Sequence, residues 1–291
     1  MPEDQASRLR VLARGVSQAN SQGMRIIAVT SGKGGVGKTN ISVNLALALT
    51  ELGRKVIVFD GDLGLANIDV VCGISPKYTL EDVVLGNSSL SEVLVDGPNG
   101  IKILPGGSGS GLLVNLEQRS LQNVLEKLQS LDGLADILLI DTGAGIARGV
   151  IQLLEGSDEI ILVATPEPTS LTDAYGLVKT LYMRGNKAQI GVVINRVNSR
   201  DEAESTFSRL SLVLDRFLKY KVEYLGFIYE DHFLTKAVMT QTPVSVAFPT
   251  APATLCIQWI AKNLLGIIGK SASPARGVRG FVESLMAHFF N

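Results

Sequence analysis

Two lysines and three aspartates of this chain sit at spacings suited to handling a polyphosphate. Lys33 and Lys38 share the stretch "SGKGGVGKT" (Ser31 to Thr39) with four glycines, directly after the apolar run "RIIAVT". Gly32, Lys33, Gly34, Gly35, Val36, Gly37, Lys38 and Thr39 satisfy the phosphate-loop pattern, with a strand before and a helix after. Glycines let successive backbone N–H groups converge on phosphate oxygens, and the helix start adds its dipole. Lys38 is expected to bridge the β- and γ-phosphates, and the Thr39 hydroxyl to ligate Mg²⁺. Asn40 completes the expected phosphate-side contacts, so ATP or ADP with Mg²⁺ is the expected cofactor set. One lysine suffices to hold a phosphate, which leaves Lys33 to be explained.

The acids fall at strand ends. "VIVFDGD" closes with Asp60 and Asp62, and "ILLIDTG" carries Asp141. A carboxylate at the C-terminal edge of a strand faces the crevice where such sheets bind ligands. Asp141 is the natural partner of Mg²⁺. Of Asp60 and Asp62, one would steady the metal and the other orient the attacking water. Asn195, at the end of "GVVIN", offers an amide suited to a purine edge, and Arg196 a plane to stack on it. With no NKxD-type guanine signature, adenine is the expected base.

The elements that must position these groups are short β-branched runs alternating with helical patterns. Strands are expected at 25–30, 55–60, 101–106, 136–141, 159–165, 189–195 and 223–228. Helices are expected at 39–52, 117–128, 170–183, 202–218 and 253–265. The pattern predicts an α/β fold: a mostly parallel, doubly wound sheet of about seven to eight strands with helices on both faces. Residues 1–22 read as a separate arm, with Leu9, Leu12, Ala13 and Val16 at helical spacing. The ATPase-like core is expected over 23–268 and a Gly/Ser/Pro-rich linker over 269–277. A C-terminal amphipathic helix follows over 278–291. It sets Val278, Phe281, Val282, Leu285, Met286 and Phe289 on one face, opposite Arg279, Glu283, Ser284 and His288.

Composition narrows the classes. The chain has 291 residues, 46% hydrophobic, and a formal net charge of -1. That balance argues against a surface that coats nucleic acid. Cys72 and Cys256 share no short-spaced motif, so neither a disulfide framework nor a metal site is suggested. The polar opening "MPEDQASRLRVLARG" is no signal peptide, and no apolar run reaches spanning length. A soluble protein able to touch a membrane surface is expected.

Lys33 is the residue that narrows the family. A K-G-G-x-G-K-T loop with an acid pair after the second strand resembles the deviant Walker A ATPases, the MinD, ParA and nitrogenase iron-protein group. The resemblance implies that Lys33 reaches across a nucleotide-sandwich homodimer formed with ATP, that Lys38 acts in cis, and that Asp62 positions hydrolytic water. Asp60 resembles the magnesium-proximal acid. Over residues 24 to about 265, "FDGDLGLANIDVVCGI" (59–74) and "DTGAGI" (141–146) resemble the MinD branch. "EPTSLTDAYGLVK" (167–179), "DRFLKYKVEYLGFIYED" (215–231) and "KAVMTQTPV" (236–244) resemble the flagellar-number regulators (FlhG, YlxH or FleN). By that similarity Asn195, Ile228, Tyr229, Glu230 and Asp231 line the adenine pocket.

The ends carry further implications. "DQASRLR" (4–10) is similar to an N-terminal element that stimulates a signal-recognition-type GTPase (FlhF), with Gln5 as the activating side chain beside Asp4, Leu9 and Arg10. The C-terminal helix resembles a membrane-targeting helix, less basic than usual. A core helix folded onto the domain is the competing expectation, and the two coexist if the helix docks in the monomer and is released in the dimer. The implied protein is a slow switch ATPase controlling flagellum number and placement, at the inner face of the cell membrane. Its implied further partners are flagellar switch (C-ring) proteins or a flagellar transcriptional regulator. A ParA-type partition ATPase is the alternative; it needs a basic DNA-binding surface, which a pI near 6.2 does not favour. An iron–sulfur reductase fails for want of a suitable Cys pair.

Overall fold

In the computed structural model, the described residues are 23–62, 66–107, 127–268 and 276–289. The strands are β1 (Arg25–Ser31), β2 (Val56–Gly61), β3 (Val95–Asp96), β4 (Lys102–Leu104), β5 (Ile137–Ala144), β6 (Glu159–Ala164), β7 (Gln189–Val197) and β8 (Glu223–Tyr229). They form one sheet in the order β3-β4-β2-β5-β1-β6-β7-β8. Every pairing is parallel except β3 with β4. The edge strand β3 was not expected, because a two-residue strand leaves no periodic signal.

The helices are α1 (Lys38–Glu51), α2 (Ile68–Cys72), α3 (Leu80–Leu85), α4 (Leu90–Val93), α5 (Arg148–Gly156), α6 (Pro168–Met183), α7 (Arg200–Leu218), α8 (His232–Met239), α9 (Val244–Ala247), α10 (Pro252–Asn263) and α11 (Gly277–Phe289). Strand β1 shows why both faces are covered. Ile26 and Ala28 enter one apolar core with residues of α5, α6, α7 and α11, while Ile27 and Val29 enter a second with residues of α1 and α10. A side-chain period of two, apolar at every step, admits only a sheet buried on both sides.

This arrangement places the C-terminal ends of β1, β2, β5, β6 and β7 along one edge, where the candidate residues lie. The expected helix 117–128 falls largely outside the described residues, as does the arm 1–22. Among the described residues no helix is long and apolar enough to cross a membrane.

Candidate functional site

The phosphate loop is the turn from β1 into α1. Gly37 caps the start of helix α1; its φ of 97° favours glycine, and a Cβ there would lie 2.6 Å from Asn195 Nδ2. The helix start has no side-chain cap and no acid in its first turn, so its N–H groups and dipole suit an anion. Beyond their own chain neighbours, no atom of the described residues lies within 4 Å of the Cβ positions of Gly34 and Gly35, leaving space over the loop. Ser31 anchors the turn. Its Oγ donates to the Lys33 carbonyl at 2.7 Å, and its own carbonyl accepts from Gly145 N–H at 2.8 Å.

Three charges converge beneath the loop. Lys38 is buried, and burial pushes its ammonium below the ordinary value against the pull of Asp141 and Asp62. Asp60 and Asp141 are register partners across β2 and β5, and both are buried. Burial pushes Asp141 up to about 6, opposed by the Thr39 and Ser42 hydroxyls and by Lys38. Ser42 Oγ donates to Asp141 Oδ1 at 2.8 Å. Burial also pushes Asp60 up to about 7, with Asp141 adding repulsion. The N–H groups of Asn67 and Ile68 donate to Asp60 Oδ2 at 2.9 and 3.0 Å, so this carboxylate also holds the start of α2. Asp62 donates its N–H to Asp60 Oδ1 at 3.3 Å and stands half-buried beside Gly143.

Two facing carboxyls that resist joint ionisation are a charge pattern that a divalent cation relieves. The donors are hard oxygens, as Mg²⁺ requires. No group of three His, Cys, Asp or Glu among the described residues is arranged to hold a metal ion by itself, so phosphate oxygens and water would complete the coordination shell. The residues therefore fit a Mg-nucleotide.

Lys33 is engaged elsewhere. Its Nζ lies 2.6 Å from Glu167 Oε2 and 3.1 Å from Thr169 Oγ1, at the start of α6, and its side chain is 40% exposed. Sequence reasoning missed both partners as site residues. The Glu-Pro pair at a helix start was the only available signal.

The base-side residues divide. Asn195 Nδ2 donates to the Val36 carbonyl at 2.7 Å, so the amide braces the phosphate loop and leaves Oδ1 for a purine. Arg196 stands on a bulge between β7 and β8, at φ 58°, its Nε 3.9 Å from Glu230. Tyr229 is half-buried, its ring edge-on to Phe227 at 5.0 Å. The side chains of two expected pocket residues are committed elsewhere. Ile228 is fully buried in the core, and both Asp231 carboxylate oxygens cap backbone, from Phe233 and Ala253 at 2.9 Å each. Only their main chain remains for a base.

Residues 27–244 match the family model of the CobQ/CobB/MinD/ParA nucleotide binding domain. The chain belongs to the MinD/ParA family of P-loop ATPases. It is 41% identical over 265 residues to the antiactivator FleN of Pseudomonas aeruginosa, covering 91% of this chain and 94% of that one. It is 33% identical over 273 residues to the flagellum site-determining protein YlxH of Helicobacter pylori, covering 92% of each. The septum site-determining protein MinD of Pyrococcus horikoshii, solved with Mg-ADP, is similar with 30% identity and a TM-score of 0.70. That match covers 86% of this chain and 99% of the other.

In this MinD/ParA chain the C-terminal helix is docked. Val278, Phe281, Val282 and Leu285 are buried and Met286 half-buried, facing α5 and β1. The apolar face expected for a membrane is therefore covered by the domain itself, because that face completes the core beside α5. The Phe289 side chain lies outside the described residues, as do Asp4, Gln5, Leu9 and Arg10.

Proposed function

We propose that this MinD/ParA ATPase is an ATP-dependent dimerising switch that controls flagellum number and placement. The observation that carries the reading is Lys33. It is a second loop lysine, half-exposed and held by α6 of its own chain, while Lys38 alone is buried beside Asp141 and Asp62. A cation stationed at the surface beside a phosphate site is placed to serve the site of a second copy. In trans it would act as an arginine finger does, tying hydrolysis to association. The likeness to FleN and to YlxH, by name a flagellum site-determining protein, supports the flagellar assignment.

Each residue has a role in that scheme. The start of α1 and Lys38 hold the phosphates of ATP, and Thr39 with Asp141 and Asp60 holds Mg²⁺. The bound cation supplies charge stabilisation to the transferring phosphoryl group. Asp62 orients the attacking water, and the partner's copy of Lys33 completes the charge. Adenine rests near Asn195 Oδ1, Tyr229 and the β8 main chain. Turnover is slow, since a switch needs a persistent ATP state. The dimer releases α11, whose paired apolar faces bind the membrane by avidity. The arm 1–22 stimulates a signal-recognition-type GTPase through Gln5, and flagellar switch proteins or a flagellar transcriptional regulator read the dimer.

Asp62→Ala should yield an ATP-locked dimer that binds but does not hydrolyse; a monomer in ATP would contradict the scheme. Removing residues 271–291 should abolish ATP-dependent sedimentation with anionic liposomes and spare dimerisation. A peptide of residues 1–22 should raise GTP hydrolysis by the cognate GTPase, and Gln5→Ala should remove that effect.

A further inference from the structure

The docked α11 is held at its start by Asp132, whose Oδ1 accepts from Val278 N–H at 3.2 Å, and is fastened to the C-terminal end of α5 by two further means. The apolar fastening is a close approach. A Cβ built on Gly156 would lie 2.8 Å from the Phe281 ring and 3.4 Å from Leu285, so a larger residue there would force the buried ring to shift. The polar fastening is Arg276, the residue just before α11. Its Nε donates to Asp158 Oδ1 at 3.2 Å, and its Nη2 to the carbonyls of Gly156 and Ser157 at 3.1 and 3.0 Å. Those carbonyls belong to the final turn of α5 and its cap, the negative end of the helix dipole. Arg276 thus caps α5 from the far end of the chain.

Asp158 links this cap to the sheet, since its other oxygen accepts from Ile26 N–H in β1 at 3.0 Å. The guanidinium is not sealed in: the Arg276 side chain is 47% exposed, against 9% for Asp158. By contrast Arg279 pairs with Glu283 within α11 itself, an arrangement indifferent to docking. Arg276 is therefore the cation of the segment whose ligands are lost when the helix leaves.

We infer that Arg276 is a two-state cation, bound to Asp158 and the α5 carbonyls when α11 is docked, and to lipid phosphate when α11 is released. The inference rests on the membrane-targeting reading of α11 and adds its regulation. Phosphodiester oxygens of an anionic bilayer offer the guanidinium acceptors in place of Asp158 and the two carbonyls. The membrane and the α5 terminus compete for one group. Anionic headgroups then favour release as well as anchoring, and a neutral bilayer does neither.

The test uses the full chain in ADP, with retained ADP binding as the check on folding. Gly156→Val blocks the seat without altering Arg276. It should sediment with phosphatidylglycerol vesicles far more than wild type does, and hardly at all with phosphatidylcholine vesicles. In Gly156→Val/Arg276→Gln the helix is equally free. Its partition onto phosphatidylglycerol should fall about fivefold, the effect of one Arg near an anionic surface. Equal partition of the two variants would overturn the lipid role of Arg276. Asp158→Asn, whose remaining oxygen can still accept from Ile26, should raise vesicle binding; no rise would overturn the competition. Phosphatidylglycerol vesicles should speed amide exchange across 277–286 in wild type, and inorganic phosphate should not. Acceleration by inorganic phosphate alone would overturn the bilayer as the ligand. If Gly156→Val binds neither vesicle while binding ADP, the targeting reading itself fails.

Discussion

Asp60 and Asp141 face one another across neighbouring strands, and the consequence can be measured without nucleotide. A carboxyl with a folded pKa of about 6 or 7, against 3.8 unfolded, binds its proton more tightly in the fold. The contribution of this pair to the stability of the metal-free fold is therefore present in full at low pH, is lost as pH rises from about 4 to about 7, and changes no further above that. Asp141→Asn should stabilise the metal-free chain by ~1–3 kcal/mol near pH 8 and flatten the pH dependence of its melting temperature. The same variant should lose Mg-dependent ADP binding, as titration calorimetry would show. A variant equally or less stable than wild type in chelator at that pH would contradict the burial account. The residues of this cluster were legible in the sequence because residue type and spacing alone declare a phosphate loop and strand-end acids. Their second duties were not. That Asp60 holds the start of α2, or that Asn195 braces Val36, depends on contacts between segments far apart in the chain.

At the scale of elements, β7 and the loop between β1 and α1 depend on one another. Asn195→Ala would leave the Val36 carbonyl without its buried donor, and should cost about 1–2 kcal/mol of stability. It should also weaken ADP binding, because the loop loses the brace beside Gly37. Unchanged affinity, read by calorimetry, would show that the loop holds its shape without β7. Strands β1, β2, β6, β7 and β8 lie within one or two residues of their expected bounds, since continuous β-branched runs between turns mark buried parallel strands; β5 runs three residues beyond its expected end, through Gly143 to Ala144. Helix α5 was not expected. It is nine residues long, with Gly149 near its start and Gly156 at its end, and short helices with glycine carry little signal. Yet α5 runs from just after the Asp141–Ala144 strand end to the seat of α11, so it joins the phosphate side of the molecule to its C-terminal helix.

For the whole molecule, the sheet order and the covering of both faces follow from alternating strand and helix patterns. The disposition of α11 does not follow, since an apolar stripe fits a core seat and a bilayer equally well. Gly156 decides for the seat by admitting the Phe281 ring. The proposed switch needs two copies: Lys33 would complete the phosphate site of a partner, and ATP would bring the copies together. Light scattering during size exclusion, in ADP and in a non-hydrolysable ATP analogue, tests it most directly on Asp62→Ala with and without Lys33→Ala. The account predicts that Asp62→Ala doubles its mass only with the analogue. Adding Lys33→Ala should leave a monomer in both, still binding nucleotide through Lys38 and Thr39. A dimer that forms with the analogue despite the loss of Lys33 would contradict it.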